Sequence, residues 1–137
     1  MEYINVRSLI SVDELAERLG DENLRIFDTA MMFKKVDQGL VANSSIETYR
    51  EAHIPGAAFA DVLGDWSNPE TPYRNVLAID ALQKKLGEIG INEKSEVVVY
   101  SSTMLMWATR AWWCLRYAGV ENVRILNGSF GAWQKTG

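Results

Sequence analysis

The chain has 137 residues, 47% of them hydrophobic and 23% charged, which predicts one globular domain with a sizeable buried core. Its formal net charge of -4, without a run of Lys or Arg, argues against nucleic acid or a membrane surface as a partner. No apolar stretch is long enough to span a membrane, and residues 1–13 lack the order of a signal peptide, so we expect a soluble, cytoplasmic protein. One Cys and one His exclude an internal disulfide and argue against a bound metal, and we expect no cofactor.

The first predicted helix begins at a capping box. Ser11 is the expected N-cap, and the carboxylate of Glu14 is expected to reach back to the backbone N–H of Ser11. Leu15 and Leu19 lie at helical spacing and mark the buried face. We therefore predict a helix that runs to Gly20.

A strand is predicted over residues 24–29, where an apolar run ends near Asp28. This carboxylate would lie at the carboxyl end of the strand, at the edge where open α/β sheets bind ligands. Residues 30–45 are of mixed character, and the Met31–Phe33 segment could line a pocket or cover the sheet. We favour loop residues folded back onto the core, because such side chains tend to be buried.

Residues 46–52 predict a short helix, followed by a rigid corner. Pro55 fixes the backbone and Gly56 permits a turn, so the corner should lead into a strand over residues 57–62. His53 precedes the corner, and a catalytic role would require a nucleophile within its reach. We favour the structural interpretation, in which a hydrogen-bonded imidazole positions the corner.

The next two segments are a loop and an amphipathic helix. Residues 63–77 carry two Pro and several polar residues and predict a surface loop. Residues 78–89 predict a helix whose buried face holds Leu82, Leu86 and Ile89 at helical spacing.

The β-branched and aromatic run Val97–Tyr100 predicts a strand buried on both faces, at the centre of a parallel sheet. An almost uncharged helix should follow over residues 106–118 and end at Gly119. A strand over residues 123–126 and a helix over residues 130–135 complete the chain. Strands and helices alternate throughout, so we predict an α/β fold with a mainly parallel sheet between helix layers.

The loop between the central strand and its helix is the expected ligand site, because it meets the positive end of a helix. A Cys in this loop would be favoured as a thiolate by the helix dipole and by converging N–H groups. The loop contains Ser101, Ser102 and Thr103 instead. This absence of Cys is the main functional observation in the sequence.

Four other aromatic or thiol side chains lie in the predicted helix that follows the loop. Cys114 is flanked by Trp113 and Leu115, and we expect a buried structural Cys whose apolar setting raises its pKa. Trp107, Trp112 and Trp113 could form part of a domain interface, although simple core packing explains them equally well.

Several motifs together resemble the rhodanese family, and the resemblance extends from about Leu9 to Gly137. The motifs are Tyr49–Ala57 with Asp61 four residues on, Val97–Tyr100, Arg110–Trp113, Leu115–Gly119 and Leu126–Trp133. In detail they are similar to the amino-terminal domain of tandem-domain thiosulfate or 3-mercaptopyruvate sulfurtransferases. The resemblance implies a rhodanese-like three-layer α/β/α fold around a mainly parallel sheet of five strands, with residues 1–137 as a single domain.

The family reaction implied by this resemblance transfers sulfane sulfur through a persulfide on a Cys that directly follows the central strand. Ser101 stands at that position here, so no catalytic residue is predicted. The loop that matches the active-site loop comprises Ser101, Ser102, Thr103, Met104, Leu105 and Met106, and the motif residues given a structural role are Asp28, His53, Pro55, Gly56, Asp61 and Arg110.

This chain is similar in that respect to tandem sulfurtransferases, whose amino-terminal domain lacks the Cys and whose carboxyl-terminal domain supplies it. The resemblance therefore implies a second rhodanese domain as partner, with Gly137 where the interdomain linker would begin, or association into a homodimer. Two departures from the family pattern concern Met31–Phe33, where a Trp is common, and Ser129, which replaces a second Gly.

Three functions are compatible with these observations. The first is an inactive scaffold half of a tandem sulfurtransferase, and the second is a stand-alone binding module that holds an anion or a partner on the Ser101–Met106 loop. The third is an esterase-like enzyme with Ser101 as nucleophile, against which the single His argues.

Overall fold

The computed structural model describes residues 7–136, so the predictions for the first six residues and for Gly137 lie outside it. In chain order the elements are β1 Leu9–Ile10, α1 Val12–Glu17, β2 Leu24–Asp28, β3 Met31–Val36, β4 Gly39–Ser44, α2 Ile46–Glu51, β5 Ala58–Phe59, α3 Ile79–Glu88, β6 Glu96–Tyr100, α4 Leu105–Tyr117, β7 Val123–Leu126 and α5 Ser129–Lys135. Five parallel strands form one sheet in the order β1-β7-β6-β2-β5, and β3 and β4 form a separate hairpin. The predicted α/β fold with a five-stranded parallel sheet is confirmed.

The central strand β6 divides the core into two layers, because successive side chains of a strand point to opposite faces. Val97 and Val99 pack into an apolar cluster with residues of α3 and α4. Val98 and Tyr100 pack into a second cluster with residues of α1 and α5. Helices therefore cover both faces of the sheet, as the continuous apolar run in this strand predicts.

The first helix is shorter than predicted. The Ser11 side chain accepts a hydrogen bond from the Glu14 N–H at 3.1 Å, which confirms the N-cap. The Glu14 carboxylate pairs with Arg124 at 2.8 Å, so it is engaged with β7. The helix ends at Glu17 and a turn follows, in which Gly20 adopts a positive φ of 88°.

Residues 30–45, predicted as a loop folded onto the core, form the antiparallel hairpin β3–β4. Met31 is fully buried, but Met32 and Phe33 are 56% and 44% exposed. The prediction was therefore right for Met31 and wrong for the next two residues. The physical reason is that the hairpin pairs only with itself, so its apolar side chains have little core to cover.

Two other boundaries differ from the prediction. The strand predicted over residues 57–62 is reduced to Ala58–Phe59. The loop after it is not entirely at the surface, because Trp66 and Ser67 are buried. Ile89 lies beyond the end of α3 and is 43% exposed, so its predicted place on the buried face was wrong.

The corner before β5 is tied to the central strand by one buried hydroxyl. Tyr100, the last residue of β6, is fully buried, and its Oη accepts a hydrogen bond from the Ile54 N–H at 3.2 Å. The Tyr49 Oη donates to the Ala57 carbonyl at 2.7 Å on the other side of the corner. These two bonds satisfy backbone groups of the corner, which lies before β5 and outside the sheet.

Replacing Tyr100 with Phe is expected to lower the free energy of unfolding by about 1–3 kcal/mol, because the buried Ile54 N–H loses its acceptor. Urea unfolding measures this change. Tyr117→Phe is the matched control, since Tyr117 is 41% exposed, and its effect should stay within about 0.5 kcal/mol. Equal urea midpoints for Tyr100→Phe and the wild type would contradict the assignment of this bond.

Candidate functional site

The site predicted from the sequence lies at the carboxyl ends of β2 and β6, which are neighbours in the sheet. Asp28 and Tyr100 are paired residues at the ends of these strands. Residues 101–104 leave β6 there and enter α4, whose first turn is at Leu105. The strand ends thus bring the side chain of Asp28 to the loop that takes the place of a catalytic loop.

The carboxylate of Asp28 is fully buried and holds this loop. Its Oδ1 accepts hydrogen bonds from the backbone N–H of Ala30 at 3.0 Å and of Ser102 at 3.2 Å. Its Oδ2 accepts a third bond from the Ser102 hydroxyl at 2.9 Å. Burial raises the pKa of Asp28, and the hydrogen bonds from Ser102 and Ala30 oppose that rise.

Two further N–H groups of the loop also have acceptors inside the domain. The Ser101 N–H donates to the Ser129 Oγ at 2.8 Å, and the Ser129 hydroxyl donates back to the Ser101 carbonyl at 2.8 Å. The Thr103 N–H donates to the Ser101 Oγ at 3.1 Å. Ser129 has a positive φ of 54°, and its paired bonds to Ser101 offset the cost of that conformation.

Thr103 connects the loop to the hairpin. Its Oγ1 donates to the Met31 carbonyl at 2.8 Å and accepts from the Met31 N–H at 3.2 Å. The same oxygen lies 3.2 Å from the Ser101 Oγ. Ser101 is buried, with a relative exposure of 3%. The hydrogen-bond neighbours of its hydroxyl are atoms of Thr103.

The second half of the loop has a different character. Met104, Leu105 and Met106 are 48%, 50% and 46% exposed. The sequence-predicted loop therefore divides into a polar part, Ser101–Thr103, whose N–H groups are hydrogen-bonded, and an apolar part at the surface. Within the polar part, Ser101 is buried and Thr103 is exposed. The first part is held by the Asp28 carboxylate, which accepts from the Ser102 N–H and hydroxyl, and the side chains of the second part offer apolar contacts.

The hydrogen bonds of the remaining motif residues go to segments other than this loop. The His53 Nδ1 lies 2.8 Å from the Tyr49 carbonyl, and its ring stacks on Tyr49 with centroids 4.0 Å apart. Gly56 adopts a φ of 81°, which favours glycine at the turn after the exposed Pro55. These contacts are of the kind that the structural interpretation of the corner predicts.

Asp61 and Arg110 likewise stabilise loops. The Asp61 Oδ1 accepts a hydrogen bond from the Gly64 N–H at 2.9 Å. The Arg110 Nη2 donates to the Ser67 Oγ at 3.1 Å and to the Arg74 carbonyl at 2.6 Å. Arg110 therefore fastens the long loop before α3 to helix α4.

Cys114 is fully buried in α4, as predicted. Burial raises the pKa of its thiol, and the nearby Arg110 guanidinium only partly opposes this effect. Among the tryptophans, Trp107 is 6% exposed, and Trp112 donates from Nε1 to the Val123 carbonyl at 3.0 Å. Trp113 differs from both, because it is 49% exposed and stacks on Tyr117.

Sequence reasoning missed the partners of the loop. Ser129 was noted only as a replacement for Gly, yet its hydroxyl caps the backbone of Ser101. No local signal predicts this contact, because the two residues are 28 positions apart. Among residues 7–136, no helix is long and apolar enough to cross a membrane, and no cluster of three His, Cys, Asp or Glu residues could hold a metal ion.

Comparison with known proteins places these features in a family. Residues 11–136 match the rhodanese-like domain. The 3-mercaptopyruvate sulfurtransferase of Escherichia coli strain K12 is 34% identical over 131 residues, which cover 92% of this chain and 43% of that protein. The thiosulfate/3-mercaptopyruvate sulfurtransferase 2 of Arabidopsis thaliana is 32% identical over 130 residues, which cover 94% of this chain and 36% of that protein.

Solved structures agree with the sequence matches. The crystal structure of SseA from Escherichia coli, reported with the rhodanese fold of 3-mercaptopyruvate sulfotransferases, superposes with a TM-score of 0.79 at 31% identity. The superposition covers 94% of this chain and 48% of the solved one. The chain therefore spans less than half the length of these relatives.

Asp28→Asn is expected to change the pH dependence of stability, because the pKa of Asp28 is raised from 3.8 in the folded protein. Above 3.8 the folded state binds this proton more tightly than the unfolded state, so Asp28 makes the wild type lose stability as the pH rises through its folded pKa. The stability of Asp28→Asn relative to the wild type should therefore improve as the pH rises from about 4 to 7. Urea unfolding at a series of pH values measures the difference.

The control for this titration has the opposite sign. The salt bridge with Arg18 lowers the pKa of the exposed Asp21. Asp21→Asn should therefore lose stability relative to the wild type as the pH rises toward 3.8, and the difference should stay nearly constant from about 4 to 7. A flat difference for Asp28→Asn, or one that runs parallel to Asp21→Asn, would show that burial does not control the Asp28 proton.

Proposed function

Since this chain belongs to the rhodanese family, we propose that it is a sulfurtransferase-type domain that carries no sulfur itself and acts as the structural and interface half beside a second rhodanese domain. The parent enzyme would transfer sulfur from thiosulfate or 3-mercaptopyruvate to a thiol or cyanide, and the second domain would supply the Cys. The names of the relatives support this class of reaction. Their greater length supports a second domain.

The observation that carries the proposal is the occupation of the Ser101 loop by the domain's own carboxylate. A loop that stabilises a thiolate or a persulfide needs converging N–H groups and a positive local potential. Here the N–H of Ser102 is bound to Asp28, and those of Ser101 and Thr103 are bound to hydroxyl oxygens. A second negative charge at this place would be repelled by Asp28 and would find these donors already used.

Cys114 does not offer an alternative nucleophile. A thiol must ionise and reach its substrate to accept sulfur, and Cys114 is fully buried with a raised pKa. Ser101 is equally unsuited to the esterase-like role. Its Oγ accepts from the Thr103 N–H and lies 3.2 Å from the Thr103 Oγ1, and none of its hydrogen bonds among the described residues is to an imidazole.

An exposed apolar surface supports the interface role. Large apolar side chains project from the hairpin and from the second half of the loop, namely Met32, Phe33, Val36, Leu40, Val41, Met104, Leu105 and Met106. Phe33, Leu40 and Met106 line the same cavity, so the hairpin and the loop share one surface. Contiguous exposed apolar surface of this kind is typical of a face that another domain covers.

The second candidate is a stand-alone inactive module that uses this same apolar surface to bind a partner protein. The loop saturated by Asp28 argues against the anion-binding form of that candidate. The full-length gene discriminates between the two proposals. A second in-frame domain with a Cys directly after the aromatic end of its central strand supports the tandem enzyme, and a gene that ends near residue 137 supports the module.

The 137-residue chain is expected to transfer no sulfur from thiosulfate to cyanide or from 3-mercaptopyruvate to a thiol, with rates equal to the buffer blank. The Cys114→Ser variant is assayed beside it, with an active rhodanese as positive control. Turnover by the wild type that is lost in Cys114→Ser would show that Cys114 is a reachable nucleophile and would overturn the proposal. Turnover by both proteins would show that a group other than Cys114 carries sulfur, and it would overturn the assignment of the Ser101 loop as inactive.

The charge of Asp28 can be tested with a thiol introduced at position 101. In the Cys114→Ser background, Ser101→Cys gives the protein a single thiol whose pKa is read from the pH dependence of alkylation by iodoacetamide. Adding Asp28→Asn is expected to lower that pKa by about one unit, because a neighbouring carboxylate disfavours the thiolate. Adding Asp21→Asn instead is the control and should leave the pKa unchanged, because Asp21 pairs with Arg18. An equal pKa with and without Asp28→Asn would remove the observation on which the proposal depends.

A further inference from the structure

The turn between β7 and α5 contains an asparagine followed by a glycine, Asn127 and Gly128. Both residues are exposed. The Asn127 N–H donates to the Ile10 carbonyl at 2.9 Å, which holds the start of the turn to the edge strand β1. Among residues 7–136, no hydrogen bond engages the Asn127 side chain or the Gly128 N–H. The turn therefore presents to water an amide side chain and, directly after it in the chain, a backbone N–H.

The fold requires the glycine of this pair. Gly128 has a φ of 78°, in the left-handed region that favours glycine. A Cβ built on Gly128 would lie 2.6 Å from the Cβ of Ala132, so a larger residue would clash with the start of α5. The backbone nitrogen that follows Asn127 therefore has no side chain beside it to shield it.

This arrangement permits an intramolecular reaction of the asparagine, because a nucleophile held next to its target reacts faster than one from solution. The Gly128 nitrogen attacks the Asn127 Cγ, the Cγ–Nδ2 bond breaks, and ammonia leaves with the proton of the Gly128 N–H. Water then opens the cyclic succinimide. Opening at Cγ gives aspartate, and opening at the main-chain carbonyl gives isoaspartate, whose chain runs through the side-chain carbons. The sum of these steps is the hydrolysis of one amide, so neither an oxidant nor a cofactor is consumed.

Three other asparagines lack this combination of groups. Asn23 is followed by Leu24, whose N–H donates to a backbone carbonyl at 3.1 Å. Asn68 is followed by Pro69, which has no N–H. The side-chain oxygen of Asn92 accepts a backbone N–H at 2.8 Å. In each case the nucleophile is missing or one of the two reacting groups is already engaged.

The reaction would affect the Ser101 loop through Ser129. Gly128 is the N-cap of α5, and the next residue, Ser129, binds both backbone groups of Ser101 at 2.8 Å. Isoaspartate adds one methylene to the main chain between the Asn127 N–H, which is held by Ile10, and Ser129. The added bond of about 1.5 Å is longer than the range of donor–acceptor distances that a hydrogen bond tolerates. The contact between Ser129 and Ser101 should therefore break.

We propose that Asn127 is a site of spontaneous deamidation and that its isoaspartate form releases Ser129 from Ser101. Water is the only reactant, and hydroxide accelerates the reaction because the Gly128 nitrogen attacks after it loses its proton. The inference is independent of the proposed sulfurtransferase role, because it uses neither the Asp28 contacts nor a second domain.

Incubation of the purified chain at mildly alkaline pH, followed by tryptic digestion and mass spectrometry, measures the conversion. Peptide 125–135 contains Asn127, and peptide 36–50 contains Asn43. Asn43 is the matched internal control, because it is exposed and precedes the small residue Ser44, but both of these residues are paired with β3 in the hairpin. We expect Asn127 to convert at least tenfold faster than Asn43, after correction with a sample digested without incubation. Equal rates at the two positions, or no conversion at Asn127, would overturn the proposal.

Asn127→Gln tests the position of the isoaspartate. The longer side chain must close a larger ring, so its reaction is slower, and an exposed side chain without a partner can be replaced without loss of the fold. An isoaspartyl methyltransferase should label the incubated wild type at least tenfold more than the incubated Asn127→Gln variant. Equal labelling of the two proteins would place the isoaspartate elsewhere and would contradict the assignment.

Amide hydrogen exchange, followed by NMR, tests the effect on the loop. The Ser101 N–H is bonded to the Ser129 Oγ, so it should exchange at least tenfold faster in the isoaspartate form than in fresh protein. The N–H of the buried Leu82 in α3 is the control and should exchange at an unchanged rate. Asn127→Asp adds the charge without the methylene and should keep the slow exchange at Ser101. Unchanged exchange in the isoaspartate form, or equally fast exchange in Asn127→Asp, would overturn the release of Ser129.

Discussion

The carboxyl edge of the sheet depends on the buried carboxylate of Asp28. It ends β2 beside Tyr100 of β6, and it binds the backbone of Ala30 on one side and of Ser102 on the other. A charge taken out of water costs folding free energy unless hydrogen bonds replace its hydration. Three donors supply that replacement, and in doing so they fix both the start of the hairpin and the loop before α4.

The same contact limits the chemistry of the loop. Donors of the loop that could stabilise a thiolate are instead bound to the Asp28 carboxylate and to two hydroxyl oxygens. Ser129 acts in the same way, because its side chain satisfies both backbone groups of Ser101 and leaves its N–H unavailable to a ligand. Under the proposed function, position 101 differs from a reactive position in its surroundings as well as in its own side chain, and restoring a thiol alone is not expected to restore a site.

The sheet could be predicted because its central strand has a recognisable local sequence pattern. The run Val97–Tyr100 is apolar at every position, and both its faces are buried. The segment Met31–Phe33 is just as apolar, yet only its first residue is buried. What separates the two cases is whether a helix layer covers the strand, which no local pattern encodes. The predicted burial of Ile89 was wrong for a different reason: the helical spacing of apolar residues continues beyond Glu88, where α3 ends.

The site was predictable only in part. The rule on strand ends indicated Asp28, but its bond to Ser102 joins residues 74 positions apart and depends on strand order. For Trp107 the sequence left a domain interface and core packing open, and its exposure of 6% places it in the core. The rule that a loop at the positive end of a helix binds ligands indicated the right place, but it does not show that the domain's own Asp28 already takes the donors of Ser102.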